Sequence, residues 1–363
     1  MKNGLKKLWP ALAAFTTLAS VTCSADDMQM RNLENRVCAL EQRRGANGMI
    51  NPPARPVVRD GIDLWAQVEA LYMHATEDGL AYAIRNTNLD VPITVDGNVK
   101  NVKYNWNWGF RAGLGYNLPH DGWDVLLNWT RFRSHKKTSE KHTPANLLAT
   151  QASPAGANAF FNTAKGASSL HFNLLDFEMG REFFVSKWLT LRPFVGVRAS
   201  WLNRNFQTRY VFNEFANIRI KGHDHNRFRG AGLRAGLDTQ WGLGCGWSFF
   251  GDLALSLIYG TQRLHSHQDT TFSNGSKFRT QHAHDHWLTA RGMLDLAAGI
   301  RWDHLLGNCD AYRIRIQLGW EQTSMFGFDK DLNFVNADAP GKYTQNSGDL
   351  AISGVSLQFR FDF

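Results

Sequence analysis

The run KYNWNWGFRAGLGYNL, residues 103–118, puts Tyr104, Trp106, Trp108, Phe110, Ala112, Leu114, Tyr116 and Leu118 at every second position. Between them stand Asn105, Asn107, Gly109, Arg111, Gly113, Gly115 and Asn117, all polar or glycine. Side chains of a β-strand alternate between faces, so a period of two means a strand with one apolar face. Similar runs recur at about 62–73, 122–134, 168–183, 188–202, 226–241, 246–263, 286–303, 311–326 and 348–363. The pattern predicts an all-β chain of ten strands. Each long connection has room for a further hairpin, so twelve or more strands stay open. In strand 168–183 the apolar residues change parity near Leu174 and Leu175, which predicts a bulge there.

The connections fall into two kinds. Short ones lie near 119–121, 184–187, 242–245 and 304–310, and long ones near 74–102, 135–167, 203–225, 264–285 and 327–347. They alternate strictly, as in an up-and-down outer-membrane barrel with short periplasmic turns and long outer loops. The tryptophans sort the same way. Trp123, Trp188, Trp241, Trp247 and Trp302 lie at short-turn ends, and Trp106, Trp108, Trp129, Trp201, Trp287 and Trp320 toward long-loop ends. Amphipathic rings favour membrane–water interfaces, so two belts are expected of a spanning barrel. The final strand carries Val355, Leu357, Phe359, Phe361 and Phe363 on one face. Such a face is tolerable where hydrocarbon is the solvent, and pairing of the last strand with the first removes edges that lipid could not satisfy. The barrel is therefore expected over residues 61–363.

The first sixty residues are different in kind. Lys2, Lys6 and Lys7, the apolar stretch Leu8–Val21, then Cys23-Ser24-Ala25 before Asp26 and Asp27 make a secretory signal peptide, expected over 1–25. A lipidated Cys23 is a second reading. The apolar stretch is shorter than the roughly 20 residues a spanning helix needs, and no later segment resembles one. Loss of the three lysines takes the formal charge from +8 to +5. In residues 26–44, Met30, Leu33, Val37 and Leu40 follow the a/d spacing of a short coiled coil. Two heptads form a helix only if chains are held together elsewhere or the helix packs on its own domain. The first case makes the segment an oligomerisation stalk, with Cys38 able to crosslink chains and a homo-trimer as one arrangement. Residues 45–60, with two glycines and three prolines, read as a linker. The mature chain keeps Cys38, Cys245 and Cys309, an odd count for an exported protein. A Cys245–Cys309 disulfide between two short turns stays open.

The layout MRNLENRVCALEQ, then GIDLWAQVEALYMHATEDGLAYA, then NWNWGFRAGLGYNLPHDGWDVLLNWTRF, resembles the major-outer-membrane-protein-like families of environmental chlamydiae and Legionella. The resemblance covers essentially the whole mature chain. It implies an abundant outer-membrane porin, often with cysteine-dependent assembly. A C-terminal amphipathic strand ending in Phe359, Phe361 and Phe363 likewise resembles the signal read by the outer-membrane insertion machinery.

Taking the apolar set as lipid-facing assigns the lumen. Arg111, Arg192, Arg198, Arg234, Arg291, Arg301, Arg313, Arg315 and Arg360 are expected to point inward, with Asp176, Glu178, Asp252, Asp295 and Glu321. Charged rings set pore selectivity, and an excess of arginine favours anions. The expectation is a general diffusion porin with mild anion preference. The alternative is that the same pairs knit the lumen shut, leaving a structural barrel or a surface adhesin acting through its loops. Loop 135–167 could fold inward or stand at the surface. His265 and His267, with His282, His284 and His286, flank one long loop with lipid-facing parity, and HDH recurs at 223–225. Imidazoles so placed bind zinc, copper or nickel, or become cationic in acid and meet anionic headgroups. No G-x-S-x-G, G-x-x-x-x-G-K-[ST] or H-E-x-x-H motif occurs, and no cofactor or enzymatic activity is expected. The basic residues are spread along alternating strands, which argues against a nucleic-acid partner.

Overall fold

Alternation becomes structure in a computed structural model, which describes residues 54, 63–87, 95–119, 121–151, 160–213, 217–306, 312–334 and 343–363. The expected signal peptide, the coiled-coil positions Met30, Leu33, Val37, Cys38 and Leu40, and Cys309 lie outside the described residues, as does the linker apart from Ala54. Fifteen strands occur among the described residues: β1 (Leu64–Glu77), β2 (Ala81–Asn86), β3 (Gly97–Asn101), β4 (Trp106–Asn117), β5 (Trp123–Lys141), β6 (Leu147–Ala149), β7 (Phe160–Phe161) and β8 (Thr163–Arg181). They continue with β9 (Phe183–Phe184), β10 (Leu189–Phe212), β11 (Ile218–Gly244), β12 (Trp247–Thr271), β13 (Lys277–Leu306), β14 (Tyr312–Phe334) and β15 (Tyr343–Asp362).

Ten of these close a ring in the order β1, β4, β5, β8, β10, β11, β12, β13, β14, β15, with β15 antiparallel to β1. Each coincides with one alternating run of the sequence. Register partners followed from Gly299 pass through Gly319, Ser356, Leu71, Gly109, Phe132, Phe172, Leu202, Phe228 and Gln262. The path returns to β13 at Trp287, twelve residues from its start. That offset in a ten-stranded ring tilts the strands by about 40°, within the usual range for closed barrels. Pairing of β15 with β1 closes the wall, as a lipid solvent requires.

The outward face is apolar, with Val68, Leu114, Leu127, Leu233, Leu255, Leu257 and Leu357 all exposed, Leu233 by 73%. In water such a surface would drive aggregation; in hydrocarbon it costs nothing. Both aromatic belts stand on this face, with one exception. Trp287 shares the inward parity of Met293 and Asp295 and so does not belong to the outer belt.

Three further departures from the sequence reading have one physical origin, an interior that is partly apolar. First, β8 runs from Thr163 to Arg181 in unbroken register with β5 and β10, so the bulge expected near Leu174 and Leu175 is absent. Leu170, Phe172 and Leu174 face in and are buried, whereas Leu175, Phe177 and Met179 face out. The apparent change of parity marks a change in what the interior contains. Second, much of the long loops 203–225 and 264–285 is strand: β10 pairs with β11 as far as Phe212–Ile218, and β12 with β13 as far as Thr271–Lys277. Third, β2, β3, β6 and β7, drawn from loops 74–102 and 135–167, make a separate four-stranded sheet in the order β3-β2-β6-β7. Tyr82, Leu147 and Phe161 from this sheet pack with Leu170, Phe206, Tyr210 and Ile220 of the wall in one buried cluster. Loop 135–167 therefore folds in.

Candidate functional site

Two regions carry the charged and imidazole residues singled out above: the barrel interior and the strand extensions on the long-loop side.

The interior has two layers. Toward the short turns it is a network of ion pairs. Arg198 binds Asp176 with two parallel bonds, Nε to Oδ1 at 2.6 Å and Nη2 to Oδ2 at 2.7 Å, and reaches Asp295 Oδ2 with Nη1 at 2.7 Å. Arg234 donates to Glu178 Oε1 at 2.9 Å and also pairs with Asp295. Arg111 bridges Glu69 at 2.6 Å and Glu321 at 3.0 Å. Arg192 joins Asp124 to Asp238, its Nη1 donating to Asp238 Oδ2 at 2.7 Å. Arg313 and Arg315 both donate to Asp303 Oδ1, at 2.6 and 2.8 Å. Arg301 is held by Gln317 and Gln240, each at 2.9 Å. Arg360 donates to Asp362 at 2.9 Å while its guanidinium lies 3.7 Å from the centroid of the Trp65 ring. Fork-shaped pairs of this kind are among the stronger hydrogen bonds. The inward strand residues fit because β4 is glycine-rich on its inner face: a Cβ on Gly115 would stand 2.0 Å from the Trp65 ring. These groups line a cavity of 190 Å³.

Above it lies the apolar layer. Leu71, Met73, Phe132, Phe172, Leu174 and Ile352 roof the charged cavity, and Leu202, Phe206, Phe228, Ile258, Met293 and Phe328 continue the same cluster. The small sheet stops the mouth, with Tyr210 donating its hydroxyl to the Tyr82 carbonyl at 2.7 Å.

All nine arginines named from the sequence face inward. Eight are in the charged layer; Arg291 lies beside Met293, and its Nε and Nη2 meet no hydrogen-bond partner among the described residues. Of the carboxylates, Asp176, Glu178, Asp295 and Glu321 are paired, and Asp252 Oδ1 is buried without a hydrogen-bond partner among the described residues. The sequence reading missed Glu69, Asp124, Asp238, Asp303 and Asp362, which balance the arginines. It also missed a fully buried pair of the upper layer, Arg204 with Asp329, with Glu77 3.4 Å away. Arg204 has the even parity of Arg192 and Arg198; carrying that alternation past residue 202 would have found it.

The extension carries the histidines. Register places His225, His265 and His284 side by side on β11, β12 and β13, and His223, His267 and His282 in the next row outward. His223 stacks on His267 with centroids 4.7 Å apart, and His265 lies 5.2 Å from His282. His286 sits one step back, opposite Arg263. His225 donates from Nδ1 to Asn205 Oδ1, and its Nε2 accepts from Arg227 at 3.2 Å. Burial holds His223, His225 and His267 below the ordinary imidazole pKa. No three donors converge on a metal position among the described residues.

At the C-terminus, Phe363 N donates to Leu64 O at 2.9 Å, and the Phe361 and Phe363 rings meet edge to face at 4.9 Å. Cys245 occupies an exposed turn between Gly244 and Gly246 with φ of 54°.

A closed antiparallel ring with an apolar outer face and two aromatic belts defines an integral β-barrel of an outer membrane. Residues 56–363 match the family model described as Legionella pneumophila major outer membrane protein precursor, and the chain belongs to that family. Its location is the outer membrane. No curated protein matches. Among solved structures, the outer membrane protease OmpT from Escherichia coli is 8% identical, with 85% of this chain and 98% of that chain covered and a TM-score of 0.41. A Pseudomonas aeruginosa FadL homologue is 10% identical, covering 88% and 96%, with a TM-score of 0.24. The Pseudomonas putida toluene transporter TodX is 8% identical, covering 83% and 89%, with a TM-score of 0.26.

Proposed function

We propose that this chain is a structural, surface-presenting barrel of the outer membrane whose lumen is closed to free diffusion in its resting form. The observation that carries this is the apolar layer above the charged cavity. The few polar groups of that layer, such as Arg204, Asp329 and Glu77, are buried against one another. A hydrated ion crossing it would therefore lose its water among mostly apolar side chains, and hydrophobic constrictions close pores for that reason. The paired interior also weakens the case for anion preference, because each arginine in the charged layer already has a carboxylate, amide or both. The function then lies in the anchored wall and in the extensions it holds outside the bilayer. Phe359, Phe361 and Phe363 serve the insertion machinery in this reading, and the N-terminal heptads serve oligomerisation. No enzymatic role is assigned.

A general diffusion porin with mild anion preference is the second reading, favoured by the charged 190 Å³ cavity. It needs the small sheet to leave. The two readings separate in single-channel recordings of the refolded chain and of a variant in which residues 143–161 are replaced by a short turn. That cut is feasible because the β5–β8 ladder ends at Lys141–Thr163. A closed barrel gives no stable steps from the intact chain, and steps that appear only after the segment is removed assign the block to the small sheet packed on the apolar layer. Stable steps from the intact chain, with reversal potentials showing anion preference, would overturn it and establish the porin.

A further inference from the structure

On each strand of the β10–β13 extension, the lipid-facing residues change character abruptly. Outward from Trp201, Ala231, Tyr259 and Leu288, the same face continues as Asn203 on β10, Arg229 and Arg227 on β11, Thr261 and Arg263 on β12, and His286 on β13. The two rows of three histidines follow directly. Arg209, Lys221, Asp269 and Arg279 form the row beyond. Asp269 is the one carboxylate on this face among the described residues, and it is occupied by Lys277 and Arg279 at 3.4 and 3.2 Å. Asp224 and Asp285 belong to the opposite face of their strands. Arg227, Arg229 and Arg263 meet no carboxylate among the described residues, and Arg229, Arg263, His265, His282, His284 and His286 are exposed. A cationic surface therefore begins where the apolar belt ends, at the depth of lipid headgroups.

We propose that this face binds the phosphate groups of outer-leaflet lipids, with the arginines holding them at neutral pH and the histidine grid strengthening the hold in acid. Guanidinium forks match phosphate oxygens in pairs. Charge complementarity selects an anion, and the position just outside the aromatic belt selects one carried by a lipid. The histidines alone would also suit a transition metal, but the flanking arginines would repel a cation and no three donors converge. The two ligands also have opposite pH dependence. Metal ligation needs neutral imidazole and weakens in acid, whereas phosphate binding gains charge as imidazole protonates.

The test is lipid retention by the refolded full chain in detergent, read by native mass spectrometry at about pH 5 and about pH 7.5, either side of ordinary imidazole titration. The probes are bis-phosphorylated lipid A and its dephosphorylated form. The phosphorylated lipid should be retained several-fold better, and its retention should rise several-fold further at the lower pH. Arg227→Gln with Arg229→Gln and Arg263→Gln should lower retention at both pH values. His223→Gln, His225→Gln, His265→Gln, His267→Gln, His282→Gln, His284→Gln and His286→Gln together should abolish the acid rise alone. Equal retention of the two lipids by the unmodified chain overturns the proposal without recourse to variants. So does binding of inorganic phosphate with no lipid retained. Zinc-dependent retention that is stronger at pH 7.5 would overturn it in favour of a metal site.

Discussion

Arg198 shows what a single residue does inside this barrel. It bridges Asp176 on β8 and Asp295 on β13, and its side chain is only 3% exposed. Replacing it with methionine nearly keeps the volume but takes the cation from Asp176, while Asp295 keeps Arg234. Breaking a buried pair in this way costs about 3–5 kcal/mol. Arg198→Met should therefore lower the urea midpoint in lipid vesicles markedly, and a midpoint within error of the parent would show that the network is dispensable. The same scale governs pH. His223 and His267 are held below the ordinary imidazole pKa, chiefly by burial. An opened extension takes up protons first as pH falls below about 6.5, so closure is favoured above that value and weakened below it. Hydrogen exchange in lipid-free detergent, corrected for intrinsic rate, should show residues 218–226 and 264–271 opening more often near pH 5 than near pH 7.5. Equal or greater protection in acid would reverse the assigned sign.

Among the elements, β15 closes the ring and, in the proposed reading, also carries the assembly signal. It pairs with β1 from Leu350 to Asp362 and with β14 on its other side, and the Phe363 amide just beyond it closes on Leu64. Removal of Phe363 deletes one outward ring and one hydrogen bond at the rim, a small loss to the finished barrel. We expect the truncated chain to refold in detergent nearly as the parent does, while its amount in the outer membrane of cells falls several-fold. Equal cellular amounts would remove the assembly role from the terminal phenylalanine. The parity of β8 teaches a different lesson. Its apolar residues switch faces because the strand passes from an apolar to a charged interior, yet its register never slips. A strand can carry an apolar residue on either face when lipid lies on one side and a packed core on the other. The same ambiguity hid the outer halves of β10–β13, where polar residues face water on one side and alternation against lipid no longer applies.

At the scale of the molecule, the ring and the stopper have separate origins. Ring closure needs only ten compatible strands, whereas the stopper needs loops 74–102 and 135–167 to meet inside the mouth. Single apolar-to-charged changes at the roof, such as Phe172→Glu, would put an unpaired carboxylate among Leu71, Phe132 and Leu174. The sequence alone marked the ten wall strands while leaving further hairpins open, and it gave the alternation of turns, most of the lipid-facing set and the inward arginines, because each follows from a local period of two and a known solvent. Which carboxylate answers which arginine, where the histidines of three strands meet, and that the interior is mainly apolar above and charged below were decided only by tertiary structure. Many of those contacts join residues scores to hundreds of positions apart, as Arg111 and Glu321 do. Their partners are set by the tilt and offset of the closed ring, a property that no single strand contains.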